Sequence, residues 1–321
     1  MRVLFTAPSS KPRLHTQVPL AWALRADGHD VQIAGSVTFA ESINRTGLVA
    51  VAAGEDSGDD STAQAAVENL VAHARAWKPD LVIWDDQVPA GDTAARDVGV
   101  PSVRILGFFD PLPPADTAIT TLDTTIPSMR PDPGNGNLQL RCVPYNGPAA
   151  VPAWLRRKPR RERVFLALGE AAISFAEVCD AVGGLDIEVV CAGSPDGLAS
   201  DTALPDNMRL FDSAPLNATL PLCSAVVHDG ATPAVTAALS FGVPQLALTA
   251  GPAPVSEELA NRGAGLMAEP GRVTAGALAD LITRLLHDAA LRDSVRRLRE
   301  EVSAMPSPRE VAQKLAALAK R

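Results

Sequence analysis

The residues most able to do chemistry in this chain are carboxylates and histidines that follow short apolar runs. Glu170 comes just after Val164 to Leu168, and Asp229 just after Ala225 to Val227. If both runs are parallel strands, the two carboxylates stand at carboxyl strand ends, where open α/β sheets bind their ligands. Paired carboxylates in one pocket drive each other's pKa values apart, so one can serve as acid and the other as base. His15, after the first apolar run, carries an imidazole, whose unperturbed pKa of roughly 6.5 suits a general base. Asp85 and Asp86 follow Leu81 to Trp84 and could touch substrate from a third strand end, while His228 adjoins Asp229. Each has a structural alternative: solvated carboxylates, a loop histidine, a helix-capping aspartate, and for His228 a satisfied core residue.

These groups need a scaffold, and the hydrophobic pattern supplies one. Val3 to Ala7 reads as a buried strand closed by Pro8-Ser9-Ser10, followed by a helix that Thr16 can cap and Gly28 can end. Further strands are expected at Val31 to Ala34, Leu81 to Trp84 and Ser102 to Leu106, with an Ala-rich helix at Ala63 to Trp77. Asp110 to Pro152 is rich in Pro, Thr and Gly and reads as a linker. A second alternating series follows, with strands near Val164 to Leu168, Ile187 to Ala192, Arg209 to Phe211, Ala225 to Val227 and Gln245 to Leu248, and closing helices from Ala277 to Leu318. Such repetition implies two doubly wound parallel sheets. The expected domains are 1–140 and 161–321, joined by a linker at 141–160.

At 321 residues the chain is long enough for two cores, and its 46% hydrophobic content is that of an ordinary globular protein. Twenty-nine basic against 37 acidic residues give a net charge of -8. That balance argues against a nucleic-acid surface. Cys142, Cys179, Cys191 and Cys223 form neither a CxxC pair nor a Cys/His cluster, so no disulfide framework or metal site is expected. No segment reaches membrane-spanning length, and a cytoplasmic location fits the cysteine usage.

Several strings, taken together, resemble the bacterial glycosyltransferases that attach deoxysugars to macrolides, enediynes and aromatic polyketides. They are VPLAWALRADGHDV from Val18 to Val31, WKPDLVIW from Trp77 to Trp84, VPYNGP from Val143 to Pro148 with VPAWL from Val151 to Leu155, and VVHDG from Val226 to Gly230 running to Gly242-Val-Pro-Gln-Leu246. The resemblance covers nearly the whole chain. It implies a GT-B fold, in which two Rossmann-like domains face a cleft, an acceptor bound by the first domain and a nucleoside diphosphate sugar by the second. It also implies that the chain is shortened between Phe109 and Leu140, a stretch that shapes the acceptor pocket in relatives.

Against that family pattern, the site residues depart one after another. Where relatives carry a His base after the first strand, the alignment on Val18-Pro19-Leu20 places Arg13, which stays protonated and cannot be a base. Where relatives hold the diphosphate with a His-Gly-Gly-Ala-Gly-Thr-like string, this chain has His228-Asp229-Gly230-Ala231-Thr232-Pro233-Ala234. Asp229 takes the place of the phosphate-binding His, Pro233 removes an N–H, and Ala234 removes a hydroxyl. Only Gly230 and Thr232 keep their roles. Glu170 stands where a Ser or Thr would contact phosphate, and a carboxylate about 4 Å from a phosphate charge costs on the order of 4 kcal/mol at an effective dielectric near 20. Ala253 and Pro254 replace the Asp-Gln pair that grips the sugar.

The leading expectation is a glycosyltransferase-like protein of natural-product biosynthesis that no longer uses a sugar nucleotide. It would bind a polyketide-type intermediate and promote acid/base chemistry such as cyclisation, dehydration or rearrangement, with Glu170, Asp229 and His15 catalytic. Arg13, His228, Gly230, Thr232 and Asp85 would contact the substrate, and no cofactor or metal would be needed. Two alternatives stay open: a non-catalytic partner of an intact glycosyltransferase, self-association included, and an active transferase using a dTDP- or UDP-sugar.

Overall fold

The fold of the 321-residue chain was obtained as a computed structural model that describes residues 1–54, 60–112, 118–130, 136–168, 173–192, 203–211 and 215–319. It divides into two compact units, Met1–Pro148 with Ala304–Arg321, and Ala149–Ser303.

The first unit alternates β1 (Arg2–Thr6), α1 (Lys11–Ala26), β2 (Asp30–Ser36), α2 (Ala40–Asn44), β3 (Val49–Gly54), α3 (Asp60–Trp77), β4 (Leu81–Asp85), α4 (Ala90–Val98) and β5 (Ser102–Ile105), then adds β6 (Thr120–Asp123) and β7 (Leu138–Gln139). The order β3-β2-β1-β4-β5-β6-β7 is parallel throughout. It reverses direction between β1 and β4, which makes their carboxyl ends the topological switch point. Val3, Leu4 and Phe5 are wholly buried because both sheet faces are covered, so the strand reads as a continuous apolar run. On one face Val3, Phe5 and Ile33 pack with Leu14, Val18 and Val311; on the other Leu4 and Val82 pack with Leu70, Ala74 and Ala94.

The second unit carries β8 (Arg163–Ala167), α5 (Phe175–Gly183), β9 (Glu188–Ala192), β10 (Met208–Phe211), α6 (Leu216–Thr219), β11 (Ala225–His228), α7 (Thr232–Phe241), β12 (Gln245–Leu248), α8 (Pro254–Asn261), β13 (Leu266–Ala268), α9 (Ala275–His287) and α10 (Ala289–Ala304). Its sheet, β10-β9-β8-β11-β12-β13, is again all parallel and switches between β8 and β11.

Three expectations need correction. The helix after β1 starts at Lys11 rather than near Thr16, because Ser10 takes extended N-cap dihedrals and Pro12 occupies the first turn, where its missing N–H costs nothing. Arg13 and His15 are therefore helical residues, not loop residues. The supposed linker from Asp110 instead contributes β6 and β7, and the buried Asp123 is neutralised there by both Nε and Nη2 of Arg130 at 2.7 and 3.0 Å. Finally, the last helix, α11 (Pro308–Leu318), belongs to the first unit, where Val311, Ala312 and Leu315 join the core beside α1.

Candidate functional site

In the first unit the site grows from the helical placement of Arg13. Arg13 and Gln17 stand four residues apart and so share one face of α1. Both turn towards the carboxyl end of β4. Arg13 Nη1 meets Asp86 Oδ1 at 2.8 Å and Asp85 Oδ1 at 3.3 Å, and its Nη2 meets Asp110 Oδ2 at 2.6 Å. Gln17 Nε2 donates to Asp85 Oδ2 at 3.2 Å, and the Gln87 amide donates to Asp85 Oδ1 at 3.1 Å. Asp110 also accepts from the Gly107 amide at 2.8 Å, which fixes its loop. Asp85 is 2% exposed, and its desolvation outweighs the attraction of Arg13 and pushes its pKa up to about 6. Asp86 and Asp110 keep partly open carboxylates.

His15 follows Arg13 by two residues, about 200° around the helix, and faces elsewhere. Its ring packs edge-on against Tyr145, with centroids 5.2 Å apart, and burial followed by the Lys11 charge holds its pKa below the usual imidazole value. Among the described residues no carboxylate pairs with it, so the expected catalytic base is not joined to the acidic cluster.

Beside that cluster lies a cavity of about 480 Å3 at the carboxyl ends of β1, β2 and β3. Ala34, Ala53, Ala66, Val67 and Leu70 make its walls apolar, and Gln87, continuous with the Asp85-Asp86 turn, forms part of its rim. A mostly apolar hollow with a few convergent polar groups is the usual form of a small-molecule site.

The second unit places the other expected residues around the turn after β11. His228 is wholly buried; its Nδ1 accepts from the Gly230 amide at 3.0 Å, so Nε2 bears the proton and donates to Gln245 Oε1 at 2.9 Å. With both nitrogens used, His228 braces the turn and is not the substrate contact expected of it. Burial lowers its pKa more than Gln245 and Asp229 raise it. Asp229 is half-buried, and its Oδ1 accepts from the Ala231 amide at 3.0 Å, ahead of α7. Gly230, at φ +86, lets the chain turn there, and Thr232 is exposed as the first residue of α7. Pro233 brings no N–H to that helix end, and the Ala234 amide is turned back to Ala231 O at 3.0 Å. Ala253 lies close to Gly230 and caps α8 without a side-chain hydrogen bond, its own amide donating to Glu257 Oε1 at 3.2 Å. Glu170 lies outside the described residues, so the expected Glu170–Asp229 pair has no geometry to assess.

The sequence reading missed Gln17 and Asp110. Gln17 was visible as the i+4 partner of Arg13 once the helix is started at Lys11. Asp110 carried no such signal, because its approach depends on the loop after β5.

Comparison with known proteins now gives this geometry a lineage. Residues 176–318 match the C-terminal domain, and residues 110–169 the N-terminal domain, of the erythromycin biosynthesis protein CIII-like family. The chain is 32% identical to the aclacinomycin-T 2-deoxy-L-fucose transferase of Streptomyces galilaeus, covering 97% of this chain and 94% of that one. It is 30% identical to the 10-deoxymethynolide desosaminyltransferase of Streptomyces venezuelae, covering 99% and 97%. The first of these alignments runs over 419 positions against 321 residues here, so about a hundred positions of that relative stand opposite gaps. Among solved structures, the glycosyltransferase VinC in complex with dTDP matches with a TM-score of 0.88 at 32% identity, each chain covered completely, and the spinosyn forosaminyltransferase SpnP with 0.87 at 30%, again over the full length of both. On these grounds the chain belongs to the erythromycin biosynthesis protein CIII-like family of bacterial antibiotic glycosyltransferases and has the GT-B fold.

Proposed function

We propose that this member of the family has given up transfer from a sugar nucleotide and acts by acid/base chemistry on a polyketide-type small molecule. The observation that carries this reading is the self-occupied turn after β11. A diphosphate needs open N–H groups at a helix N-terminus. Here the Gly230 amide serves His228, the Ala231 amide serves Asp229, and Pro233 has none. The Asp229 carboxylate itself supplies the anion at that helix end. Arg13 supports the same reading, since a guanidinium held by three aspartates cannot take a proton from an acceptor hydroxyl.

The ligand lies in the apolar cavity of the first unit and extends past Gln87, which lines that cavity, towards the adjoining Asp85-Asp86 turn and Arg13. Asp86 or Asp110 takes the proton from the substrate carbon or hydroxyl, and Arg13 stabilises the oxyanion that develops on a neighbouring carbonyl. The protonated carboxyl then returns that proton, to the product oxyanion in a cyclisation or rearrangement and to the departing hydroxyl in a dehydration, so that water leaves and the carboxylate is restored.

A second reading, an active transferase with a thymidine-nucleotide donor, is favoured by the likeness to a dTDP-bound glycosyltransferase structure. Calorimetric titration with dTDP and UDP separates the two. Micromolar saturation by dTDP establishes the second reading; no saturation, together with a product of unchanged mass or of mass reduced by water on incubation with polyketide intermediates, establishes the first. Full turnover in both Asp86→Asn and Asp110→Asn would sink the assignment of the base.

A further inference from the structure

The amino-terminal edge of the second sheet lies at the opposite strand ends from the Gly230 turn. A hollow of about 640 Å3 opens there, with Ser224 and Pro244 ahead of β11 and β12 on one side and His287, Arg292, Arg296 and Arg299 on the other. A second depression adjoins it, sharing Glu162, Ser224 and His287 and adding Arg160 and Arg161.

Charge pairing leaves this region cationic in a chain whose net charge is -8. Asp186 is taken by Arg161 at 2.9 Å, and Arg296 by Asp293 and Glu300 at 3.1 and 3.2 Å. Glu162 stands 4.0 Å from His287. Among the described residues the guanidiniums of Arg160, Arg292 and Arg299 form no ion pair, though the Arg160 amide donates to Glu188 Oε1 at 3.1 Å. Two of these three are anchored. Arg292 Nη1 donates to Leu286 O at 3.2 Å, at the end of α9. The stem of Arg299 lies flat on Gly242, so near that a Cβ there would come within 2.5 Å of Arg299 Cδ. Arg292, Arg296 and Arg299 follow the i, i+4, i+7 spacing that aligns side chains along one face of α10. Held guanidiniums lose little freedom on binding, and their planar forks match phosphate oxygens better than an ammonium would.

We propose that this hollow binds a small anion bearing a di- or triphosphate group, with Arg292 and Arg299 as its principal contacts and Arg160 reaching it from the adjoining depression. The site is independent of the reading given under the proposed function, because it lies at the other end of the strands.

The test is calorimetric titration of the full chain with inorganic pyrophosphate and tripolyphosphate, with variants in α10. Saturable binding is expected, weakening steeply as salt rises, and at least tenfold weaker in Arg292→Ala/Arg299→Ala. Arg292→Lys/Arg299→Lys keeps the charge and should fall between wild type and the alanine pair, which separates lost contacts from misfolding. Glu162→Gln should bind more tightly than wild type. Absence of saturation overturns the proposal, as does full binding by the alanine pair. Binding of a polyglutamate peptide without binding of either phosphate probe overturns it too, in favour of an acidic protein surface.

Discussion

Arg13 Nη2 lies 2.6 Å from Asp110 Oδ2, an ion pair that joins the first turn of α1 to the loop after β5. Its neighbour Nη1 is shared between Asp85 and Asp86, so a single guanidinium ties α1 to the carboxyl end of β4 and to the loop after β5. Arg13 is thus a cationic hub of the first unit. Of the three carboxylates around this cation Asp85 is the most buried, and its desolvation, with a smaller contribution from the Asp86 charge, carries the cost.

That cost gives a pH prediction with a definite sign. The folded pKa of Asp85, about 6, lies above the ordinary carboxylate value, so folding favours the protonated form. Its contribution to stability is complete below about pH 4 and is lost as pH rises through 6. The shift of roughly two pH units corresponds to about 3 kcal/mol. Urea unfolding of wild type and Asp85→Asn between pH 4 and 8 should show the wild type losing about that much relative to the variant as pH rises. Parallel curves for the two proteins would contradict the assignment.

His228 behaves in the opposite sense. Its folded pKa is depressed by burial, so the native state holds the neutral ring while the unfolded chain begins to protonate near pH 6.5. The stability it contributes is present above that pH and is lost as pH falls through the folded pKa. Nitrogen NMR of the ring should report a neutral imidazole with the proton on Nε2 at neutral pH, and protonation at lower pH than in a free imidazole. Replacing it with Ala opens a void and leaves Gln245 without its donor, for a loss of about 2–3 kcal/mol. A neutral ring with its proton on Nδ1 would refute the hydrogen-bond reading.

Much of this was legible before any coordinates. Buried parallel strands write themselves as uninterrupted apolar runs, which is why β1, β4, β8 and β12 were found within a residue or so of their observed ends. β6 escaped notice because Thr120, Thr121 and Asp123 are polar residues buried by their partners, Arg130 foremost, and such pairing leaves no hydrophobic trace. The membership of α11 in the first unit was hidden for another reason: an amphipathic helix records that one face is buried but not against what. At the site, that Arg13 cannot accept a proton and that Pro233 has no N–H could be read from residue type alone. That Asp229 bonds the turn it begins, and that His228 faces inward, could not, since both depend on the path of a few backbone amides.

The turn after β11 offers a gain-of-function experiment. Asp229→His removes the internal acceptor of the Ala231 amide, and Pro233→Gly supplies an amide at the start of α7. If these two residues are what closes the site to diphosphate, the double variant should bind dTDP at least tenfold more tightly than wild type in calorimetry. Asp229→Asn alone removes the charge but keeps an acceptor for the Ala231 amide, so it should recover only part of that gain. Equal and weak binding in all three proteins would place the obstruction elsewhere, with Ala253 and Pro254 next to be changed.

Two glycines test whether Arg299 is truly held in place. Gly99 ends α4 at φ +71 and Gly242 ends α7 at φ +68, so an alanine at either must adopt the left-handed region at a cost of about 1–2 kcal/mol. At Gly99 that is the whole cost, since a Cβ there would meet nothing within 4 Å. At Gly242 the new methyl would run into Arg299 Cδ at 2.5 Å and crowd its Cβ and Cγ at 3.3 Å, so the entire stem must leave. Chemical denaturation should therefore find Gly242→Ala more destabilised than Gly99→Ala by roughly 1 kcal/mol, the order of cost for overpacking a tight contact. Combining Gly242→Ala with Arg299→Ala removes the colliding stem and should return the penalty to that of Gly99→Ala. If the two single variants lose equal stability, the stem is free to move aside, and a guanidinium that loosely tethered could not form a rigid wall for an anion.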